Sequence, residues 1–203
     1  MRREELLELH YITPIANVGS ILQLGILSHR RAARREHRSI AKQEVQDLRA
    51  RVRVPGGRPL HEYANLYFCA RNPMMFKRAA LHDTTCVLRV SADVLDLPNV
   101  VITDQNAASG YCRFMPSPQG LANVDRAMVF ADDWRHPGNP AAYYRHRSIK
   151  CAEVGAGGGA LGARHRRLCV RGGWSGGTPC HTTSLGRHRR LPPVFPLGPL
   201  GRP

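Results

Sequence analysis

Val154 divides this chain into two stretches of different character, and only the first carries the pattern of a packed core. From Val154 to the C-terminus there are eight arginines and no lysine, aspartate or glutamate, set among runs of glycine, alanine and proline. Such a composition has too few periodic apolar residues to offset the entropy of ordering the chain. The change is abrupt enough to look like a GC-rich gene read in a shifted frame, with a basic nucleic-acid-binding arm as the alternative. Residues 155–203 are therefore expected to form a disordered Gly/Arg/Pro-rich tail. Residues 1–154 are expected to form one domain, incomplete at its C-terminus.

Within residues 1–154 the periodicity predicts short helices mixed with strands. Thr13-Pro14 reads as a helix start, a hydroxyl cap followed by proline at the first helical position. Ile15, Val18, Ile21 and Leu22 follow at helical spacing, and Gly25 supplies a stop. Residues 30–38 are basic with few apolar anchors and read as a loop. Ser39 is placed to cap a second helix, where Ala41, Val45, Leu48 and Val52 form a stripe expected to be buried before Pro55-Gly56-Gly57 ends it. Residues 65–70, 85–90 and 100–103 read as strands, and Pro73 opens a short helix. Residues 115–148 embed Trp134, Tyr143 and Tyr144 among Pro, Gly, Asn and Arg, a long, partly helical excursion of the kind more often functional than idle. A last strand begins within residues 148–154 and is not sustained by the glycine-rich run that follows.

The formal net charge of the 203 residues is +15. The tail carries eight of those charges, so the excess extends into the domain. A basic domain favours polyanions such as nucleic acid, although charge alone confers no sequence specificity and suits an ordinary cationic surface equally well. Six cysteines are present, none in a Cys-x-x-Cys pair, and there is no His-Glu-x-x-His. A zinc site therefore has little support. No stretch reads as a secretory signal or a membrane span, so the expectation is a cytoplasmic protein with reduced thiols and no membrane partner. Neither a Walker-type phosphate loop nor a dinucleotide-binding glycine fingerprint occurs, and the scattered aspartates form no two-metal cluster.

Five short blocks remain in fixed order: Tyr11-Ile12-Thr13, residues 39–53, residues 66–74 (Leu-Tyr-Phe-Cys-Ala-Arg-Asn-Pro-Met), Thr103-Asp104-Gln105-Asn106, and Lys150-Cys151-Ala152-Glu153-Val154. Taken together, over about residues 8–154, this set resembles the DarT family of DNA ADP-ribosyltransferases, the toxins of DarTG toxin–antitoxin systems. The resemblance implies an α+β, ADP-ribosyltransferase-like fold: a mixed β core with an NAD cleft. It implies NAD as co-substrate, no metal, transfer of ADP-ribose to a thymidine or guanosine base of single-stranded DNA, and a DarG-like macrodomain antitoxin as partner.

The same resemblance assigns residues. Arg49 and Glu153 match the catalytic pair; Tyr11, Ile12, Thr13 and Ser20 join Arg49 at the NAD site. Arg71 and Asn72 lie in the stretch that matches the turn after the family's strand, and Asn106 and Arg113 match the start of its long DNA-facing loop. Within that loop Tyr144 and Arg145, with Trp134, Tyr143 and Arg147, supply the stacking rings and cations that a single strand needs. Tyr11 stands where the family has histidine, and His10, one residue early on an extended segment, points the opposite way and cannot simply replace it. A guanidinium stays protonated, so Arg49 is suited to charge neutralisation and positioning. A carboxylate suits the oxocarbenium character that develops as a glycosidic bond breaks. Without the resemblance, Arg49 and Arg53 would read as a solvated basic face, Thr13 as a helix cap and Glu153 as an exposed strand end. Two other functions stay open on sequence: an inactive, frame-disrupted relative, and a basic DNA-binding protein without NAD chemistry.

Overall fold

The computed structural model describes residues 1–158 and Leu161; the expected tail lies otherwise outside the described residues. Among the described residues six strands form one sheet: β1 Glu8–Pro14, β2 Tyr63–Tyr67, β3 Thr85–Ser91, β4 Val100–Thr103, β5 Phe114–Pro116 and β6 Glu153–Gly157. Their order is β3-β1-β2-β6-β4-β5, and every neighbouring pair is antiparallel. Six short α-helices decorate it: α1 Val18–Leu24, α2 His29–Ala32, α3 Gln43–Ala50, α4 Pro73–Phe76, α5 Arg126–Phe130 and α6 Pro140–Ile149. The fold is α+β, as expected.

Strand alternation explains how the sheet separates core from site. In β3, Cys86, Leu88 and Val90 are buried while Val87, Arg89 and Ser91 are only half-buried. In the central pair, Ala64 and Leu66 of β2 and Val154 and Ala156 of β6 enter the main hydrophobic cluster. Tyr63, Asn65 and Tyr67 therefore share the other face, opposite Gly157, Gly155 and Glu153 respectively. That second face carries the functional side chains described below.

Three sequence expectations change. Thr13-Pro14 does not start a helix. Thr13 is buried within β1, the strand runs through Pro14, and a 3-10 turn over Ile15–Asn17 leads into α1. Gly25 ends α1 with φ of 90°, the left-handed conformation glycine tolerates. The stripe on α3 is not core: Leu48 is 51% exposed, and the buried member of the helix is Arg49. Ala41, Val45 and Leu48 border a cavity instead, and Val52 packs against a small hydrophobic cluster of Val54, Leu60, Tyr63 and Ala107. Ser39 does not cap α3, which begins four residues later; its Oγ accepts the Ala41 N–H at 3.2 Å.

The last strand, expected to falter after Val154, continues to Gly157 between β2 and β4. Hydrogen-bonding edges on both sides hold a segment with little intrinsic strand preference. Tyr63 supplies the missing volume, for a Cβ on Gly157 would lie 2.7 Å from Tyr63 Cε1 and 2.9 Å from the Asn99 carbonyl oxygen. The chain then reaches Leu161, which forms a two-bond bridge with Ile26.

Candidate active site

The site begins with one buried ion pair. Arg49 Nη1 donates to Glu153 Oε1 at 2.6 Å and Nη2 to Oε2 at 3.3 Å. The residues are 8% and 2% exposed, although 104 positions separate them in sequence. Glu153 Oε1 also accepts the Ala107 N–H at 3.1 Å. Thr103 locks the backbone beneath: its Oγ1 lies 3.1 Å from both the Glu153 N–H it accepts from and the Glu153 carbonyl it donates to. Thr103 thus holds the Glu153 backbone, while Arg49 and the Ala107 N–H hold its carboxylate.

Electrostatics follow from that burial. Loss of solvent pulls the Arg49 pKa down, but the Glu153 charge and its hydrogen bonds outweigh this, and the net shift is upward. Burial first, then the neighbouring Glu153 carboxylate, pushes the Tyr67 phenol far up, so it stays protonated. The same two causes raise Cys151 to about 12. Burial and the Asp104 and Glu153 charges raise Cys112 to about 12. Neither thiol is a nucleophile at neutral pH.

Arg49 forms part of the wall of a cavity of about 670 Å³, within the usual range for small-molecule sites. Its walls carry six cations, Arg38, Lys42, Arg49, Lys77, Arg78 and Arg147, and no aspartate or glutamate. Lys77 shows the consequence: Arg147 first, then some burial, then Lys42 and Arg78 hold its pKa below the usual lysine value. Converging like charges of this kind make a place for an anion. A tilted imidazole pair adds to the wall, His29 and His61, with ring centroids 4.1 Å apart and planes 34° from parallel. Burial first lowers both pKa values, followed by the charges of His37 and Arg49 at His29 and of His29 and Arg49 at His61. His61 Nε2 is buried without a hydrogen-bond partner among the described residues.

The structure brings some sequence candidates together and not others. Tyr11, Ile12, Thr13, Arg49, Asn106 and Tyr144 all line this cavity. Burial raises the Tyr11 phenol. His10 is directed elsewhere, with Nδ1 3.1 Å from the Phe68 carbonyl and Nε2 3.3 Å from Glu8 Oε1. Ser20 sits on the exposed side of α1, its hydroxyl donating to the Asn17 carbonyl at 2.9 Å, and is not on the wall. Asn72 is not a surface group. It caps α4, accepting the Met74 and Met75 N–H groups at 3.0 and 3.1 Å, and its Nδ2 donates to the Cys69 carbonyl. Arg71 pairs with Asp132, and Arg113 with Asp104 at 2.6 Å; both lie off the wall. Arg145 is exposed and also off it. On α6 the cavity face carries Tyr144, Arg147 and Ser148, at helical spacing, and Arg145 is turned about a quarter-revolution away.

Other wall residues escaped the sequence reading. Asn17 is one: its Nδ2 donates to Thr13 Oγ1 at 3.3 Å and to the Arg38 carbonyl at 2.8 Å, while Oδ1 accepts the Arg38 N–H. It ties the basic segment to β1. Lys42, Lys77, His29 and His61 come from four separate regions, and no local motif gathers them. Among the described residues no group of three or more His, Cys, Asp or Glu is placed to hold a metal ion. No described helix is long and apolar enough to cross a membrane.

Comparison with known proteins agrees with this geometry. A family model described as ssDNA thymidine ADP-ribosyltransferase, DarT, matches residues 10–154. A DNA ADP-ribosyl transferase–DNA ADP-ribosyl glycohydrolase fusion protein of Thermosipho africanus is 40% identical over 110 residues, which is 50% of this chain and 28% of the fusion protein. The chain thus spans little more than a quarter of that relative's length. The structure of Thermus sp. 2.9 DarT in complex with ADP-ribosylated ssDNA superposes with a TM-score of 0.69 at 27% identity, covering 82% of each chain. The same protein in complex with NAD+ gives 0.65 at 26% identity and 82% coverage of each.

Proposed function

The chain belongs to the DarT family, and from that premise we propose that it transfers ADP-ribose from NAD to a thymidine base of single-stranded DNA. The observation that carries this reading is the Arg49–Glu153 pair: Arg49 stands on the wall of a cation-rich cavity, and the buried Glu153 lies behind it, off the wall and bonded to its guanidinium. The family's description favours thymidine over guanosine. The chemistry has three requirements, and the residues here suit each.

The first is neutralisation of a diphosphate, for which the wall supplies five cations, Arg38, Lys42, Lys77, Arg78 and Arg147, besides the Glu153-paired Arg49. Charge stabilisation at the reacting carbon is the second. As the bond between nicotinamide and the ribose C1′ breaks, positive charge develops on the sugar, and a carboxylate accepting from a ribose hydroxyl stabilises it where it appears. Glu153 takes that role, and Arg49 fixes the orientation of its carboxylate. The third is acceptance of a proton. The base nitrogen forms the new bond to C1′, nicotinamide departs, and the nitrogen's proton passes to Glu153 or to solvent. An unpaired base is required because stacking and pairing hide the attacking nitrogen. The electrostatic work falls to side chains, and a chelator should leave turnover intact.

Unrestrained, the activity would arrest growth. The fused relative joins a transferase to a DNA ADP-ribosyl glycohydrolase, which supports a toxin role for this chain with a DarG-like macrodomain antitoxin as partner. The cytoplasm, where NAD and DNA meet, is the expected location.

The test is incubation with NAD labelled in the adenylate portion and single-stranded oligonucleotides containing one thymidine or none. Label should enter the thymidine strand, vanish with Glu153→Gln, and remain absent from duplex. Label on the thymidine-free strand equal to that on the thymidine strand, or persistence in the Glu153→Gln variant, would sink the reading. DNA binding with no transfer would favour a non-enzymatic binding protein.

A further inference from the structure

We propose that a second, arginine-lined hollow on the far side of α2 holds backbone phosphates of the acceptor strand beyond the reactive nucleotide. This rests on the reading of the chain as a transferase acting on single-stranded DNA. The hollow, about 200 Å³, is lined by Ser28, Arg30, Arg31, Arg34, Arg58 and Glu62, with Gly158 at its edge. It is separate from the NAD cavity, yet the two share a wall: His29 and Ala32 of α2 face the cavity, while Arg30 and Arg31 face the hollow. A helix with its side chains is about 10–12 Å across. A strand whose reactive base enters the cavity would need to continue only a short way to reach these arginines.

The charge arrangement is what an anion site requires. Four guanidinium groups surround a single carboxylate, Glu62. Arg30 pairs with one of its oxygens, and Arg58 lies 3.7 Å from the other. Glu62 thereby holds two of the arginines side by side. Arg31 and Arg34 have no carboxylate partner among the described residues. All four arginine side chains are reachable from solvent; those of Arg30 and Arg58 are 59% and 56% exposed. The patch therefore carries an excess of three positive charges. Planar, forked donors of this type match the phosphodiester oxygens of a nucleic-acid backbone and read no base. Such contacts would raise affinity for longer strands without altering which base is modified.

The experiment uses the full chain and a fluorescent thymidine-containing oligonucleotide of about twenty nucleotides, alongside a trinucleotide too short to span both sites. Arg31→Gln/Arg34→Gln removes the two unpaired cations and touches nothing in the cavity. If each makes one phosphate contact, the slope of log affinity against log salt becomes shallower by about 1.4. At 0.1 M monovalent salt that corresponds to about 25-fold weaker binding of the long strand. Turnover and KM on the trinucleotide, and KM for NAD, should be unchanged, which also reports that the variant is folded. An unchanged salt slope and unchanged affinity for the long strand would overturn the proposal. So would equal losses on the long strand and the trinucleotide. Because binding is read by anisotropy, it does not depend on catalysis. A wild-type chain that transfers nothing but loses affinity for the long strand on this substitution retains the hollow and refutes the enzymatic reading.

Discussion

Breaking the Arg49–Glu153 pair from either side should be far more harmful than removing it altogether. With the two side chains 10% and 3% exposed, the pair lies outside the regime in which solvent screening reduces an ion pair to a fraction of a kcal/mol. Arg49→Met would leave the Glu153 carboxylate with one remaining partner, the Ala107 N–H. Glu153→Gln would leave a buried guanidinium facing a neutral amide. Each single substitution should destabilise the fold by about 3–5 kcal/mol, the range for one orphaned partner of a buried pair. The double variant Arg49→Met/Glu153→Leu leaves no uncompensated charge and should lie within about 1 kcal/mol of the parent, or above it. The coupling energy of the cycle would then be at least about 3 kcal/mol. Urea titrations followed by tryptophan fluorescence, with m-values checked for constancy, measure all four corners. Transfer activity supplies the second readout, and it should be lost in all three variants, including the stable double. Two single variants each costing less than about 1 kcal/mol would refute the reasoning, since the pair would then behave as a solvated contact. An active double variant would break the link between the pair and the chemistry.

Three further outcomes follow from other parts of the molecule. Gly157→Ala places a methyl 2.9 Å from the Asn99 carbonyl oxygen and 2.7 Å from the Tyr63 ring; overpacking of this kind should destabilise the domain by about 1–3 kcal/mol, read by thermal melting. Lys150, 1% exposed, donates to the Val129 and Ala131 carbonyls at 2.9 and 2.8 Å. Lys150→Met leaves both unpaired, and should cost about 3 kcal/mol and speed protease cleavage within residues 126–149. Acidification should weaken the fold through His29 and His61. Burial and neighbouring cations hold both folded-state pKa values below the ordinary value of about 6.5. Between the folded and unfolded pKa values the unfolded chain binds more protons, so their effect is absent above pH 6.5 and stability falls as pH drops through that window. The melting temperature plotted against pH should show this slope, and His29→Gln/His61→Gln should flatten it; a slope that survives the double substitution removes the imidazoles as its cause.

Local signals carried the sequence reading where chain neighbours decide the outcome, and lost it where distant ones do. Val100–Thr103 appears as read, Thr85–Ser91 within a residue, and Pro73 opens a helix capped by the asparagine before it. In each case alternation or a proline marks the element directly. The helix expected at Thr13-Pro14 failed because pairing with β3, register by register from Glu8↔Ser91 to Pro14↔Thr85, outweighs a capping preference worth about 1 kcal/mol. The stripe on α3 misled for a related reason. Periodicity reveals that a face is covered, not what covers it, and here Val45 and Leu48 border a ligand-sized cavity while Arg49 is the buried member. The glycine-rich continuation of β6 was the hardest to foresee, since its strand character comes from two flanking strands and from Tyr63 filling the volume its own side chains lack.

The site follows the same division. Arg49 and Glu153 were legible only through the order of several blocks, because nothing local in a lone arginine or glutamate separates a cleft from a solvated surface. Lys42 and Lys77 were invisible, since each is an unremarkable basic residue until the fold gathers them with Arg147 around one opening. Their convergence carries a physical consequence that no single residue could announce. Cations facing one another without a carboxylate repel, and the lowered pKa of Lys77, set first by Arg147, records that repulsion. An anion entering the cavity relieves it. The free domain is thus less stable than its charges would allow in another arrangement, and the difference becomes part of the affinity for a diphosphate ligand.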